Sequence, residues 1–270
     1  VSRGRVDEWY TGLVSNYVDV CDVVPFGAFE DRNQERIQQA GSWKQKEVSS
    51  FDGELLDLVA RRIGASDYAV VHPSLLFNAC SRVWDGSLPG SWLLEHSRYE
   101  RLVPPLPMAP LTSETESKPY VALGFRFSSS FGDTGPNRDL MNRVMVELSG
   151  RMTVKLVGSA GFIPAPEPVS RIDDSQVVPP PDRAEGQLRE QAAIVAGAQA
   201  YIGTFGSISL LAPFYNVPTL MVFEEEGKLF SHHVNVLRSI AETVTDARVD
   251  IEKASGITQT RLSAWLDQVL

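Results

Sequence analysis

The sequence has only two cysteines, no long apolar run and no excess of positive charge. Each of these features excludes a class of protein. The two cysteines, Cys21 and Cys80, cannot build a disulfide framework and match no zinc spacing, so we expect buried free thiols. The chain has no apolar run of membrane-spanning length and no opening signal peptide, which predicts a cytoplasmic protein without a transmembrane segment. A net charge of −9 argues against non-specific binding of nucleic acid.

The residues that are present are typical of a globular protein. A length of 270 residues, 43% of them hydrophobic and 22% charged, allows one large domain or two small ones. The chain opens on Val1, and its first ten residues contain no strand, whereas an α/β lobe normally begins with a buried strand. We therefore expect the first β-α units of the first lobe to be missing, and a native protein that starts at residue 1 by mass spectrometry would contradict this.

A proline-rich and then polar segment, LVPPLPMAPLTSETESKP at residues 102–119, divides the sequence. Proline fixes φ and removes a backbone donor, and the polar run has nothing to bury, so this segment is typical of a linker. It predicts a first lobe over residues 1–103, a linker over 104–119 and a second lobe over 120–270.

Strands alternate with helices in both lobes. The first-lobe pattern predicts strands at 18–25 and 68–72 and helices at 6–17 and 51–64. The second-lobe pattern predicts strands at 120–127, 153–157, 201–203 and 217–223, and helices at 139–148, 185–200, 208–215, 233–244 and 258–270. This alternation indicates an α/β fold of two Rossmann-like lobes, with a ligand cleft at the carboxyl ends of parallel strands.

The segment AYIGTFGSISLLAPFYNVPTLMVF, residues 200–223, carries the clearest chemical signal. Gly203 and Gly206 allow a tight turn that a ligand can approach closely. Thr204 and Ser207 place hydroxyl groups where the next helix is expected to begin, and a helix N-terminus attracts phosphate. The alternative is an ordinary strand–helix turn with a capping residue.

This run resembles the nucleotide-sugar-binding lobe of glycosyltransferases with the GT-B fold, heptosyltransferases among them, although residues 208–211 lack the histidine of the heptosyltransferase pattern. The resemblance implies that the turn holds the diphosphate of a nucleotide-sugar donor. It implies donor-site roles for Gly203, Thr204, Phe205, Gly206 and Ser207. It also implies that the terminal helix packs across the two lobes.

The strand YVALGFRF followed by three serines, residues 120–130, is similar to the O-fucosyltransferase-like branch of the same fold. That similarity implies that Arg126 grips the donor diphosphate and that Ser128 belongs to the same site. A guanidinium group suits this role because it makes bidentate bonds to phosphate oxygens and stays charged. The alternative is an arginine in an ion pair at the edge of the sheet.

Two further side chains are candidates by position. Glu224 follows a predicted strand and could accept hydrogen bonds from a ribose or sugar hydroxyl, although a solvated acidic loop is the alternative. His72 ends a first-lobe strand and could act as the general base on an acceptor hydroxyl. The sequence has no pair of aspartates separated by one residue, so we expect a metal-independent reaction in which Arg126 and a helix N-terminus stabilise the leaving diphosphate.

The resulting prediction is a hexosyl- or related transferase that uses a nucleotide-sugar as co-substrate, with no other cofactor, and transfers the sugar to an acceptor hydroxyl. Two alternatives remain open. One is a sugar-nucleotide epimerase, and the other is a non-catalytic protein that binds a nucleotide or a protein partner.

Overall fold

The computed structural model describes residues 50–67, 82–83, 86–96, 98–104, 118–158, 177–178, 187–206, 208–229 and 231–270. Its strands are β1 Tyr120–Gly124, β2 Thr153–Leu156, β3 Val177–Val178, β4 Ala200–Thr204, β5 Thr219–Phe223 and β6 Val249–Lys253. Its helices are α1 Ser50–Ile63, α2 Ser91–His96, α3 Gly135–Ser149, α4 Gln187–Ala196, α5 Leu211–Phe214, α6 Ser231–Val244 and α7 Gln259–Val269. No helix in these ranges is long and apolar enough to cross a membrane.

The six strands form one sheet in the order β3-β2-β1-β4-β5-β6, and every neighbouring pair is parallel. Parallel pairing requires crossover connections, and helices α3, α4, α5 and α6 lie in the connections β1–β2, β3–β4, β4–β5 and β5–β6. The α/β prediction is therefore confirmed for the second lobe. The strands predicted in the first lobe lie outside the described residues, so its Rossmann-like architecture stays a prediction.

Alternation along the strands gives the sheet two buried faces. Val121 and Leu123 of β1 point into a core shared with α3 and α7, whereas Ala122 points into a core shared with α4 and α5. Successive side chains of a strand project to opposite faces, so each face needs its own layer of helices. The second lobe is consequently a three-layer α/β/α sandwich.

The last helix, α7, packs on its own sheet. Leu262, Trp265 and Leu266 are buried in the core that also contains the apolar face of α3. The indole nitrogen of Trp265 donates to Asp250 Oδ2 of β6 at 2.7 Å, and Arg151 forms an ion pair with Asp267 at 2.5 Å. Among the described residues, α7 closes the core of the second lobe, and the packing across two lobes that the resemblance implied stays a prediction.

The segment just before the predicted linker is attached to the second lobe. The Leu102 N–H donates to Phe214 O at 2.8 Å, at the end of α5. Arg101 donates from Nε to Val244 O at 2.8 Å and forms an ion pair with Asp246 at 2.5 Å. Residues 101 and 102 therefore contact the ends of α5 and α6, and the predicted boundary after residue 103 stays a prediction.

Tyr120, the first residue of β1, gives this lobe a pH-dependent stability. Its hydroxyl donates to Ile194 O at 2.9 Å, the Lys155 ammonium lies 4.0 Å from its ring centroid, and burial raises the pKa of Tyr120 to about 12. A raised pKa means that the unfolded chain loses this proton first as the pH rises. The tyrosine therefore stabilises the fold below pH 10, and this contribution is lost as the pH rises toward 12.

We expect Tyr120→Phe to flatten the alkaline limb of the stability curve. The wild-type protein should lose about 1 to 2 kcal/mol more than the variant between pH 9 and pH 12, because phenylalanine has no proton to release. At pH 7 the variant should be about 1 kcal/mol less stable, since the bond to Ile194 is gone. Urea unfolding at several pH values measures both effects. Parallel pH profiles of the two proteins would show that Tyr120 contributes nothing to alkaline unfolding.

Candidate functional site

The sheet has one topological switch point, between β1 and β4. The chain proceeds from β1 toward β2 and β3 on one side, and from β4 toward β5 and β6 on the other. Phe125 and Phe131, which follow β1, are buried in the core beneath α3, whereas Ala212, which follows β4, is buried in the core on the opposite face. The two connections thus leave the sheet in opposite directions. In open α/β sheets the ligand-binding crevice lies at such a switch point, outside the carboxyl ends of the strands, and we call this place the crevice.

A hydrogen bond joins the two strands at the base of this crevice. The Arg126 N–H donates to Thr204 Oγ1 at 3.1 Å, just beyond the last register pair, Gly124 with Gly203. Thr204 is only 6% exposed, whereas Arg126 is exposed. The structure therefore brings together two residues that the sequence proposed separately, one from each side of the switch point.

Gly203 lies where β1 and β4 approach each other closely. It lies inside β4 and is buried, and a Cβ built on it would lie 2.8 Å from the Gly124 carbonyl carbon and 2.6 Å from the Tyr201 hydroxyl. Tyr201 is 1% exposed and donates to Gly124 O at 3.4 Å, so it has little freedom to move. In this structure Gly203 is required for close packing between β1 and β4, and its predicted contact with a donor stays a prediction.

The turn after β4 uses its own backbone N–H groups. The Phe205 N–H donates to Val222 O at 2.9 Å and extends the pairing with β5. The Gly206 N–H donates to Ser209 Oγ at 2.9 Å, and the same hydroxyl donates to Gly206 O at 2.7 Å. Two N–H groups that were expected to face a phosphate are therefore bonded within the protein.

The helix after this turn also begins later than expected. Helix α5 is four residues long and starts at Leu211, preceded by Leu210, which makes no side-chain capping bond. Thr204 does not cap this helix, because its hydroxyl accepts from Arg126. Ser207 lies outside the described residues, so the predicted phosphate site at a helix N-terminus near residue 207 stays a prediction.

A turn of residues 128–131, which we call the serine turn, crosses the end of β4. The Ser128 N–H donates to Phe131 O at 2.8 Å, and Ser128 Oγ lies 3.2 Å from Ser130 Oγ. Ser130 O accepts from the N–H groups of both Glu224 and Glu225, at 2.8 and 3.1 Å. The serine turn follows β1 and is bonded to the end of β5, so it lies at the carboxyl ends of the strands, beside the switch point.

Glu224 lies at this edge of the sheet, and its carboxylate contacts protein groups there. Oε2 accepts from the Ser255 N–H at 3.0 Å, and Oε1 lies 3.8 Å from the Lys253 ammonium. These contacts join the end of β5 to the end of β6. The structure therefore gives Glu224 a structural role, and its predicted contact with a ribose or sugar hydroxyl stays a prediction.

An ion pair joins the segment between β1 and α3 to the first turn of α3. Arg138 donates from Nε and Nη2 to the two carboxylate oxygens of Asp133, at 2.6 and 2.7 Å. The Arg138 guanidinium also lies 5.3 Å from the ring centroid of Phe127, which stacks on Phe131. This bidentate pair was not predicted, although an aspartate five residues before an arginine at the start of a helix is a signal that could have indicated it.

Several predicted residues cannot be placed at the site. His72 lies outside the described residues, so its role as a base stays a prediction. Within the described residues, no group of three or more His, Cys, Asp or Glu side chains is arranged to hold a metal ion. Ser130 and Ser209 contribute contacts that the sequence analysis missed, and Ser209 could have been found from its spacing of three residues after Gly206, which is typical of a turn closed by a serine hydroxyl.

Comparisons with known proteins give a distant match. No family model matches the chain, and no curated protein matches it. One solved structure that is similar is described as the glycotransferase of kitacinnamycin, with 14% sequence identity and a TM-score of 0.42. The match covers 91% of this chain and 60% of that one, so the chain spans less than two thirds of the length of the solved protein.

Proposed function

We propose that the crevice between β1 and β4 binds a nucleotide-activated sugar and that the protein transfers this sugar to an acceptor hydroxyl without a metal ion. The observation that carries the proposal is the contact between the Arg126 N–H and Thr204 Oγ1 at the switch point. It places an exposed guanidinium-bearing residue where open α/β sheets bind their ligands. A donor with a diphosphate group supplies the anion that a guanidinium binds best.

Arg126 has a defined chemical task in this proposal. The acceptor oxygen attacks the anomeric carbon, the bond from that carbon to the diphosphate breaks, and negative charge develops on the departing phosphate oxygen. A fixed positive charge at this point stabilises the transition state more than the ground state. The proton of the acceptor hydroxyl passes to a general base, for which His72 is the proposed residue, and the acceptor binds on the side of the first lobe.

Two N–H groups of the turn after β4 are bonded within the protein. In this proposal the donor therefore packs against the surface of the turn and does not bond to those N–H groups. Gly206 is half-buried, and a Cβ built on it would meet nothing closer than Thr204 O at 4.0 Å. A side chain at this position is thus compatible with the free protein. It would project from the turn that borders the crevice, so its effect on binding tests whether the donor packs against this turn.

We expect one of UDP, GDP, ADP, CMP or their common sugar conjugates to stabilise the wild-type protein in a thermal-shift screen. At about 100 times the dissociation constant, binding adds roughly 2.7 kcal/mol to the free energy of unfolding. Arg126→Ala should remove most of this stabilisation, and Gly206→Ala should weaken it while leaving the melting temperature of the free protein unchanged.

The matched control is Arg151→Ala. It removes the same charge at the opposite ends of the strands, just before β2 begins, where Arg151 pairs with Glu147. The Arg151→Ala protein should bind the nucleotide as tightly as the wild type does. The proposal attributes binding to the position of the Arg126 guanidinium and not to the total positive charge of the protein. A folded wild-type protein stabilised by none of these nucleotides would contradict the donor site. Binding without transfer to any acceptor would favour the non-catalytic alternative, and isomerisation of the sugar without an acceptor would favour an epimerase.

A further inference from the structure

The end of the β1–β4 pairing shows how the Arg126 main chain is held. The last pair in register is Gly124 with Gly203, after which β1 turns toward the core that contains Phe125, which is 4% exposed. Beyond that pair, the Arg126 N–H donates to the Thr204 hydroxyl at 3.1 Å. A side-chain oxygen therefore accepts from the main chain where the strand pairing ends.

Thr204 is itself held rigidly. Its Cα is in register with Val222 of β5, and the next N–H along, that of Phe205, donates to Val222 O at 2.9 Å. Its side chain is almost entirely buried. Thr204 is thus fixed from the β5 side and presents its oxygen toward β1, beneath the exposed Arg126.

We propose that Thr204 is a positioning residue that fixes the Arg126 backbone so that the guanidinium group reaches a diphosphate in the crevice. This inference rests on the proposed function. It also gives Thr204 a different role from the direct contact with the donor that the resemblance implied. The core anchors Phe125 on one side of Arg126, and the Thr204 hydroxyl fixes the amide of Arg126 itself. Together these two contacts set the direction in which the arginine side chain leaves the main chain.

The test replaces Thr204 by valine, which has the same shape but no acceptor, and by serine, which keeps the hydroxyl. We expect Thr204→Val to raise the Kd for the diphosphate among UDP, GDP and ADP that binds by about five- to tenfold. The Kd for the matching nucleoside, which has no phosphate, should stay unchanged, and Thr204→Ser should restore most of the lost affinity. Thr204→Ala gives a second variant if the valine protein folds poorly.

A double-variant cycle separates positioning from direct binding. If Thr204 acts through Arg126, then Arg126→Ala with Thr204→Val should bind the diphosphate no more weakly than Arg126→Ala alone. Additive losses would overturn the inference, because they would mean that Thr204 contacts the ligand independently. An unchanged diphosphate affinity in folded Thr204→Val would also overturn it while leaving the proposed function intact, whereas a wild-type protein that binds none of the three diphosphates would overturn both.

Discussion

Gly203→Ala is expected to destabilise the second lobe by about 3 kcal/mol or more, and in a marginally stable protein this is enough to prevent folding. The added methyl group would lie 2.8 Å from the Gly124 carbonyl carbon and 2.6 Å from the Tyr201 hydroxyl. The first obstacle is backbone in the paired strand, and the second is a side chain that is 1% exposed, so neither can move cheaply. Chemical denaturation of the purified variant, or its yield of soluble protein, measures the effect.

The control for this substitution is Gly135→Ala at the first position of α3. A Cβ on Gly135 would have no atom within 4 Å, so the same chemical change should alter stability by less than about 1 kcal/mol. If Gly203→Ala were as stable as Gly135→Ala, the close approach of β1 and β4 would be wrong. The geometry of the crevice built on that approach would then be wrong as well.

Leu266→Ala is expected to cost about 2 to 5 kcal/mol, because it leaves a cavity in the core between α7 and α3. Leu266 is 0% exposed and belongs to the same buried cluster as Leu148 of α3. Helix α7 covers that core near the end of the chain, and little else in the described structure could move to fill the gap. Urea unfolding of the variant gives the magnitude.

Leu270→Ala is the matched control at the end of the same helix. Leu270 is 41% exposed, so its truncation should cost less than about 1 kcal/mol. Equal losses from the two substitutions would contradict the packing of α7 on its own sheet.

Much of the second lobe could be predicted from its sequence because its central strands are mostly apolar and alternate with helical segments. The predicted strands at 120–127, 153–157, 201–203 and 217–223 correspond to β1, β2, β4 and β5. The two strands that were missed lie at the edges of the sheet. Strand β3 has only two residues, and β6 alternates Val249 and Ile251 with charged residues, as expected of an edge strand that is only partly buried.

The contacts within the site could not be predicted because they depend on which hydroxyl group meets which backbone group. The sequence identified Arg126 and Thr204 as separate candidates, and only the strand order shows that they meet. The same limit applies at Gly206. Its pattern is typical of an open anion-binding turn, and only the structure shows that its N–H donates to Ser209 Oγ, three residues on.

The strand order also determines how this lobe must fold. β1 is a central strand, and one of its two partners, β4, is distant in sequence, since Val121 pairs with Ala200. The chain must therefore close a long loop before the middle of the sheet exists, and such non-local parallel pairing slows folding. During synthesis β1 has no partner on that side until β4 emerges from the ribosome. Its apolar edge is open to pairing with other chains for this interval, so aggregation competes with completion of the sheet.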